Sequence, residues 1–496
     1  VGSVHQEIQV AFAIHGFELA RQTVFLLQHF CSLCCGNVWR GRLQGLEYGM
    51  HKKSMLPGNS RYTHIHSTVC RTRQRIPEAQ YRVRSCSLIA GIISRPRLSD
   101  GAVIPRILSL WLLLTVPTFA AADDPGHEAA SGGFSYGKQG LQYEDAAGNN
   151  FLWFGVRAQT RWTGSAVVED ELPGAPVSDS DELKVNRARL KLGGHLVRPA
   201  FTVYSEYDLV GERLLDLRAT YQFSDALSIR IGQWKSEFNR ERVDSSGKQQ
   251  FVERSVVTPW FTIDRQQGVV ASGRLGAGSR ADTSYWAGWL TGAGRGGDAD
   301  QADGLWLGRL QWNVHGRVLG FSQSALGRPE EPIGSVAIAA VSGKSSFTAF
   351  SSNGGGQLPG FENGAPDQYR IRQFMVETAY HHGGFSWQQE VHWKTIDDRA
   401  TGRTVRLLGA YAQAGMFFSA INDAFPEPLE FAARIATVDP DRDRDGVRED
   451  EVTLGANWYF NGHRNKLTLD ISRVARRLAP ETDSSNRVRL QWDLSF

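Results

Sequence analysis

Alternation of apolar and polar residues is the dominant pattern of the chain beyond about residue 150. In the last nine residues, Val488, Leu490, Trp492, Leu494 and Phe496 are apolar and the residues between them are polar. Successive side chains of a β-strand point to opposite faces, so this pattern predicts a strand with one apolar and one polar face. A tilted strand of about nine to eleven residues is long enough to cross a membrane.

The same alternation recurs along the body of the chain, for example at 152–162, 187–196, 215–223 and 385–394. Short turns at 224–226, 381–384 and Asn461-Gly462 join several of the predicted strands. Longer polar links occupy 169–182, 235–265, 292–303, 351–367 and 436–450. Tight turns that alternate with long loops are typical of outer-membrane barrels. We therefore predict an all-β fold, a transmembrane antiparallel β-barrel of about 16 strands.

Composition separates an N-terminal part from this body. Residues 1–122 hold 14 lysines and arginines against 5 acids, whereas the remaining residues hold 41 against 47. All five cysteines precede residue 87. A mildly acidic body argues against nucleic acid as a partner, because a nucleic-acid footprint is basic. No run of 18 apolar residues is present, so no transmembrane helix is predicted.

The junction of the two parts has the features of a secretory signal peptide. Ile107–Val116 is a short apolar core, Arg106 precedes it, and small residues lead to Ala122. We therefore expect a signal peptide at 103–122, a short polar lead-in at 123–150 and the barrel at 151–496. Residues 1–102 are interpreted as an upstream extension translated from a wrong start codon.

Three stretches of the body resemble the phosphate-selective porin O and P family. They are Leu227–Glu241, Phe251–Ser255 followed by Asp264–Gly268, and Val452–Asn461. The resemblance implies a 16-stranded porin, usually a homotrimer, whose third loop folds inward and narrows the pore. The terminal Phe496 resembles the sorting signal that the barrel-assembly machinery recognises. We also expect outer-membrane lipids to surround the barrel.

Basic residues on the predicted lumen side are the candidate functional residues. A passive pore selects ions by its diameter and by the charges at its constriction, and arginine suits oxyanions. We expect small anions as substrates, with phosphate or polyphosphate as candidates. The candidate pore-lining and anion-binding residues are Arg157, Arg161, Arg187, Arg189, Lys191, Arg218, Arg230, Lys235, Arg240, Arg242, Arg254 and Arg265. The acids Glu237, Glu241, Asp244, Glu253 and Asp264 could instead neutralise the loop, and that alternative stays open.

Catalytic and metal motifs are weak in this sequence. Asp441–Gly446 imitates the first half of a calcium loop, but Val452 stands where a bidentate glutamate is required. Cys31-x-x-Cys34 has no second ligand pair in register. We expect no cofactor, no metal and no enzymatic activity. The competing hypotheses are an outer-membrane barrel enzyme of the lipase or protease type and a secreted β-sandwich binding protein.

Overall fold

The computed structural model describes residues 132–164, 181–297, 303–478 and 481–496. The expected signal peptide, the upstream extension and the CxxC motif lie outside these residues. The strands are β1 (Gly133–Gly137), β2 (Gly140–Glu144), β3 (Phe151–Gly164), β4 (Asp181–His195), β5 (Phe201–Asp208), β6 (Arg213–Ser224), β7 (Leu227–Lys235), β8 (Arg265–Leu275), β9 (Thr283–Leu290), β10 (Leu305–Asn313), β11 (Ile333–Ser345), β12 (Ala349–Ser351), β13 (Gly354–Gly356), β14 (Tyr369–His382), β15 (Phe385–Asp398), β16 (Thr404–Met416), β17 (Leu429–Asp439), β18 (Val447–Asn461), β19 (Asn465–Leu478) and β20 (Glu481–Ser495).

In the described part of the chain, helical structure is limited to single turns. α1 spans Arg240–Val243, α2 spans Thr258–Phe261, and a 3-10 turn covers Phe418–Ala420. Among the described residues, no helix has the length and apolar character needed to cross a bilayer.

A closed antiparallel barrel is formed by the sixteen described strands β3–β11 and β14–β20. Each strand pairs with the next along the chain, and β20 returns to β3, with Leu490 opposite Trp162 and Ser495 opposite Arg157. Closure gives each of the sixteen described barrel strands a neighbour on both sides, which is what a lipid environment requires. The predicted barrel and its strand number are confirmed.

The outer face of the barrel wall is apolar, whereas the inner face carries most of the polar side chains together with a buried apolar cluster that includes Leu307 and Ile371. On β15, Lys394 is buried on the lumen side, whereas its neighbour Trp393 is exposed on the outer face. On β18, the buried Thr453 lies between the exposed Val452 and Leu454. This distribution is the reverse of a soluble fold, because the outer face meets lipid. It excludes the β-sandwich hypothesis, which requires polar outward faces.

One local departure from strict alternation occurs on β6. The register between β5 and β6 shifts at Glu206/Tyr207, so that Glu206 pairs with Asp216 and Tyr207 pairs with Leu214. Leu215 is the extra residue of this bulge. It is fully buried like Asp216, although the sequence pattern placed it on the outer face.

The two ends of the barrel carry different connections. The end bearing the described links 209–212, 236–264, 346–368, 399–403 and 440–446 is termed the loop end, and the opposite end is the turn end. The predicted link at 436–450 is shorter than expected, since β17 and β18 extend into it. On the turn end, 314–332 and 417–428 are long connections that the sequence pattern did not reveal.

The predicted lead-in contains a hairpin. β1 and β2 pair with each other, and β2 continues along β3 from Leu141, opposite Phe154, to Glu144, opposite Phe151. These positions of β3 lie beyond the part that pairs with β20, so the hairpin occupies the edge that β20 leaves open. The lead-in thereby extends the wall at the turn end.

Candidate pore constriction

The third loop, residues 236–264 between β7 and β8, folds into the barrel. Near its start, the Arg240 guanidinium lies 3.0 Å from the Glu377 carboxylate on β14. In its middle, the Val252 amide donates to Asp470 on β19 at 2.9 Å. A loop that crosses to strands more than a hundred residues away narrows the lumen, as the family resemblance implied.

Two glycines on the inner wall make room for aromatic side chains of this loop. A Cβ added at Gly409 would lie 2.3 Å from the Phe261 ring, and one at Gly455 would lie 3.0 Å from the Phe251 ring. Both rings are buried against the wall. The absence of side chains at 409 and 455 therefore sets how closely the loop approaches the far wall.

Eight of the twelve predicted pore residues are ion-paired with carboxylates. These pairs are Arg157–Asp493 (3.3 Å), Arg161–Glu253, Arg187–Glu253 (3.0 Å), Arg189–Glu206 (2.7 Å), Arg230–Glu237, Arg240–Glu377 (3.0 Å), Arg242–Asp264 (2.8 Å from Nε to Oδ1) and Arg265–Asp216 (2.6 Å). Several join the third loop to the wall, as Glu253 does with β3 and β4. The pairs that involve residues 236–264 hold the third loop in place. This agrees with the alternative that the acids of the loop neutralise its basic surroundings.

The other four, Lys191, Arg218, Lys235 and Arg254, form no ion pair within the described part of the chain, and all four are partly exposed. Lys235 Nζ donates to the Asp244 carbonyl oxygen at 3.0 Å, and Arg254 Nη2 donates to the same oxygen at 2.8 Å. Two cations thus meet at one neutral acceptor on the third loop.

Arg218 and Lys191 lie on the wall beside this pair of cations. The Arg218 guanidinium sits 4.7 Å from the centre of the Tyr204 ring, a cation–π contact rather than an ion pair. Lys191 is on β4, where Arg189 takes the carboxylate of Glu206. The four cations therefore lie around one side of the lumen, between β4, β6, β7 and the third loop.

Nearby acids are buried, whereas the cations keep access to solvent. The Glu206, Asp216 and Asp244 residues are each less than one-tenth exposed. Burial raises the pKa of the Asp244 carboxyl above its usual range, although Lys248 and Lys235 oppose the shift. Lys248, on the same loop, is exposed and adds a further cation. In this part of the lumen the cations are thus more accessible to solvent than the acids.

A second segment enters the lumen from the turn end. Residues 314–332 bring the Gly320 carbonyl within 2.5 Å of Arg240 Nη1, and the Gln323 side chain accepts from the Gln250 amide at 2.9 Å. Arg328 reaches Ser419 Oγ at 2.9 Å on the neighbouring connection. The third loop therefore also contacts a segment that enters from the turn end.

Several inner-wall residues were absent from the predicted set. Arg309 lies 2.6 Å from Glu377, and Arg434 lies 2.5 Å from Glu451. Lys394 Nζ donates to the carbonyl oxygens of Trp260 (2.9 Å) and Thr348 (2.6 Å). The period-two rule applied to β10, β15 and β17 would have placed these residues inside. Their partners could not be read from the pattern.

No metal centre is visible in the described residues, where no group of three His, Cys, Asp or Glu side chains is arranged to hold an ion. Asp441, which opens the calcium-like stretch, lies 3.7 Å from Arg403.

Comparison with protein families gives one match. The family described as "Phosphate-selective porin O and P" matches residues 174–496. No curated protein matches the chain. Among solved structures, in-vitro folded OmpT of Vibrio cholerae (trimer form) is similar at 9% identity, with 70% of this chain and 99% of that chain covered and a TM-score of 0.48.

Two further solved structures are similar to a comparable extent. The outer membrane channel DcaP of Acinetobacter baumannii is 13% identical, with 70% of this chain and 96% of that chain covered and a TM-score of 0.45. An anion-selective porin from Comamonas acidovorans is 9% identical, with 70% and 99% covered and a TM-score of 0.43.

Proposed function

The chain belongs to the phosphate-selective porin O and P family and forms a porin channel of the outer membrane, and we propose that this channel prefers small anions. The observation that carries the proposal is the partly exposed set of cations Lys191, Arg218, Lys235 and Arg254 beside buried acids. A cation held about 4 Å from an ion attracts an anion by about 1 kcal/mol even in water, and repels a cation equally. Four such charges along a narrow path favour anions.

Phosphate is the substrate that we propose for this cluster, with polyphosphate as a longer relative. Lys235 and Arg254 point their donors at one oxygen of the third loop, and a phosphate oxygen offers a stronger acceptor of the same kind. The arginine fork matches two oxygens of an oxyanion, whereas chloride accepts without such directionality. Phosphate is therefore expected to dwell longer at the constriction than chloride does.

Planar-bilayer recordings of the purified protein test both levels of the proposal. The reversal potential across a KCl gradient is measured first, and phosphate is then titrated against the chloride current. Anion-side reversal with block by phosphate supports a phosphate pore, and anion preference without block leaves a general anion porin. A cation-side reversal would mean that the acids govern the constriction, and would overturn the proposal.

We also propose a homotrimer that is exported through the signal peptide at 103–122 and assembled through Phe496. The ring of Phe496 is half exposed, while its amide and carbonyl bond to Val156 at 2.9 Å, so that a receptor can reach the aromatic end of β20. N-terminal sequencing of protein extracted from outer membranes is expected to begin near Asp123. Chemical cross-linking in the membrane is expected to stop at three copies.

A further inference from the structure

A cavity of about 230 Å³ lies at the loop end, away from the four unpaired cations. Its floor is apolar and is made by Trp260 of α2, Leu358 of the link between β13 and β14, and Leu407 of β16. These three residues are almost completely buried and belong to one hydrophobic cluster. The cavity is therefore a gap above packed core, with its opening among the loops.

Arginines dominate the rim of this cavity. Its lining contains five arginines, including Arg403, Arg444 and Arg476, against two acids, Asp441 and Glu449. Glu449 is already engaged, because it accepts from Trp260 Nε1 at 3.1 Å and from Arg476 Nε at 2.9 Å. Asp450, next to Glu449, lies 2.8 Å from Arg448 and 4.0 Å from Arg477. Four of the five arginines therefore have an acid partner, and Arg444 is the fifth.

Arg444 supplies the most available of these charges. It is exposed, and no described residue forms an ion pair or a hydrogen bond with its guanidinium. Arg403 is partly engaged, with its guanidinium 5.5 Å from the centre of the Phe361 ring and 3.7 Å from Asp441. A free guanidinium beside an aromatic wall presents a bidentate donor next to an apolar surface.

We propose that this cavity, at the loop end of the barrel, binds small carboxylates that carry an aromatic ring. The ring would lie on the floor of Trp260 and Leu407, and the carboxylate would reach Arg444 at the rim. Inorganic phosphate has no apolar body to place on the floor, and water is held poorly by apolar walls. The proposal deepens the proposed porin function. Binding at the cavity does not depend on that function, whereas delivery of the ligand to the constriction rests on it.

Isothermal titration calorimetry of the purified protein with benzoate tests the binding directly. Acetate carries the same charge without the ring and serves as the matched probe. Benzoate is expected to bind at least about tenfold more tightly than acetate, because its ring removes apolar surface from water. Arg444→Gln is expected to weaken benzoate binding about tenfold, which is the loss of one charge-assisted pair.

Arg442→Gln is the control variant. Arg442 is an exposed arginine of the same loop that does not line the cavity, so its loss changes the net charge equally. It is expected to leave the benzoate affinity within about twofold. Equal loss in both variants, or equal binding of acetate and benzoate, would overturn the proposal. Phe361→Ala, which removes aromatic wall, is expected to weaken benzoate but not acetate.

Failure of the benzoate-binding proposal can be distinguished from failure of the porin hypothesis. Calorimetry does not require conduction, so a channel without anion preference would leave benzoate binding intact. In bilayers, benzoate added on the loop-end side is expected to block chloride current at lower concentration than benzoate added on the turn-end side. Equal block from the two sides with intact anion selectivity would contradict a benzoate site at the loop end while leaving the porin function in place.

Discussion

Neutralising Lys235 and Arg254 is the sharpest test of the proposed constriction. Both side chains donate to the Asp244 carbonyl, at 3.0 and 2.8 Å, and neither is ion-paired within the described residues. Substitution of each by glutamine, as K235Q and R254Q, removes the charge and keeps an amide donor for that carbonyl. The third loop is therefore expected to keep its position while the constriction loses two charges.

The expected magnitude follows from the geometry. An anion that touches both side chains would lie about 4 Å from each charge, where each attracts it by about 1 kcal/mol in water and by about 4 kcal/mol at an effective dielectric of 20. Taking the lower value, loss of one charge weakens the attraction for the anion about fivefold, and loss of both weakens it about thirtyfold. The lost repulsion of potassium lowers the chloride-to-potassium permeability ratio further, so these values are lower bounds for the change in that ratio. Lys191 and Arg218 remain, so a residual anion preference is expected.

Reversal potentials across a tenfold KCl gradient in planar bilayers measure the chloride-to-potassium permeability ratio. The control is K184Q, which removes a lysine from the loop end of β4, where Lys184 is exposed and lies 2.8 Å from Glu182. K184Q is expected to change the ratio less than twofold. Single-channel conductance is recorded alongside, because a displaced loop would widen the pore.

Two results would refute the reasoning. If the double variant keeps the permeability ratio within about twofold at unchanged conductance, the ions do not pass these side chains. If K184Q lowers the ratio as far as K235Q does, selectivity comes from the overall charge of the mouth. A large rise in conductance would instead show that the glutamines failed to hold the third loop.

Three further outcomes are expected. Glu377→Gln removes the carboxylate shared by the buried Arg240 and Arg309. It should lower the free energy of unfolding of the barrel by about 3–5 kcal/mol in urea titrations. An unchanged unfolding midpoint would contradict a role of Glu377 in anchoring the third loop. Gly409→Leu drives a side chain into the Phe261 ring, so it should displace the third loop and raise or destabilise the single-channel conductance. Gly308→Leu, on the outer face of β10 with open space around it, should disturb the conductance less. Acidification should increase anion preference by about threefold, because protonation removes the negative charge of Asp244. The change should occur at a pH above the pKa of an ordinary aspartate, since burial raises the pKa of Asp244. Asp244→Asn should abolish this pH dependence, and a shift that persists in that variant would come from other acids.

The alternation along the chain was sufficient to predict the fold class and the side of the wall on which most charges lie. The pleat of a strand forces neighbouring side chains to opposite faces, so Arg157 and Arg189 lie opposite their apolar neighbours, on the face that becomes the lumen side in a closed barrel. The family resemblance added the inward third loop, which the structure contains. The same local rule failed at Leu215, because a bulge depends on the partner strand as well as on the strand itself.

Only the tertiary structure decided which lumen cations are available to an ion. Arg161 and Arg240 are as basic as Lys235 and Arg254, yet their carboxylate partners Glu253 and Glu377 come from distant parts of the chain. The inward course of 314–332 and the cavity over Trp260 depend in the same way on contacts between remote segments. A short-range pattern records the face on which a side chain lies, whereas its partner is set by how the closed barrel brings loops and opposite strands together.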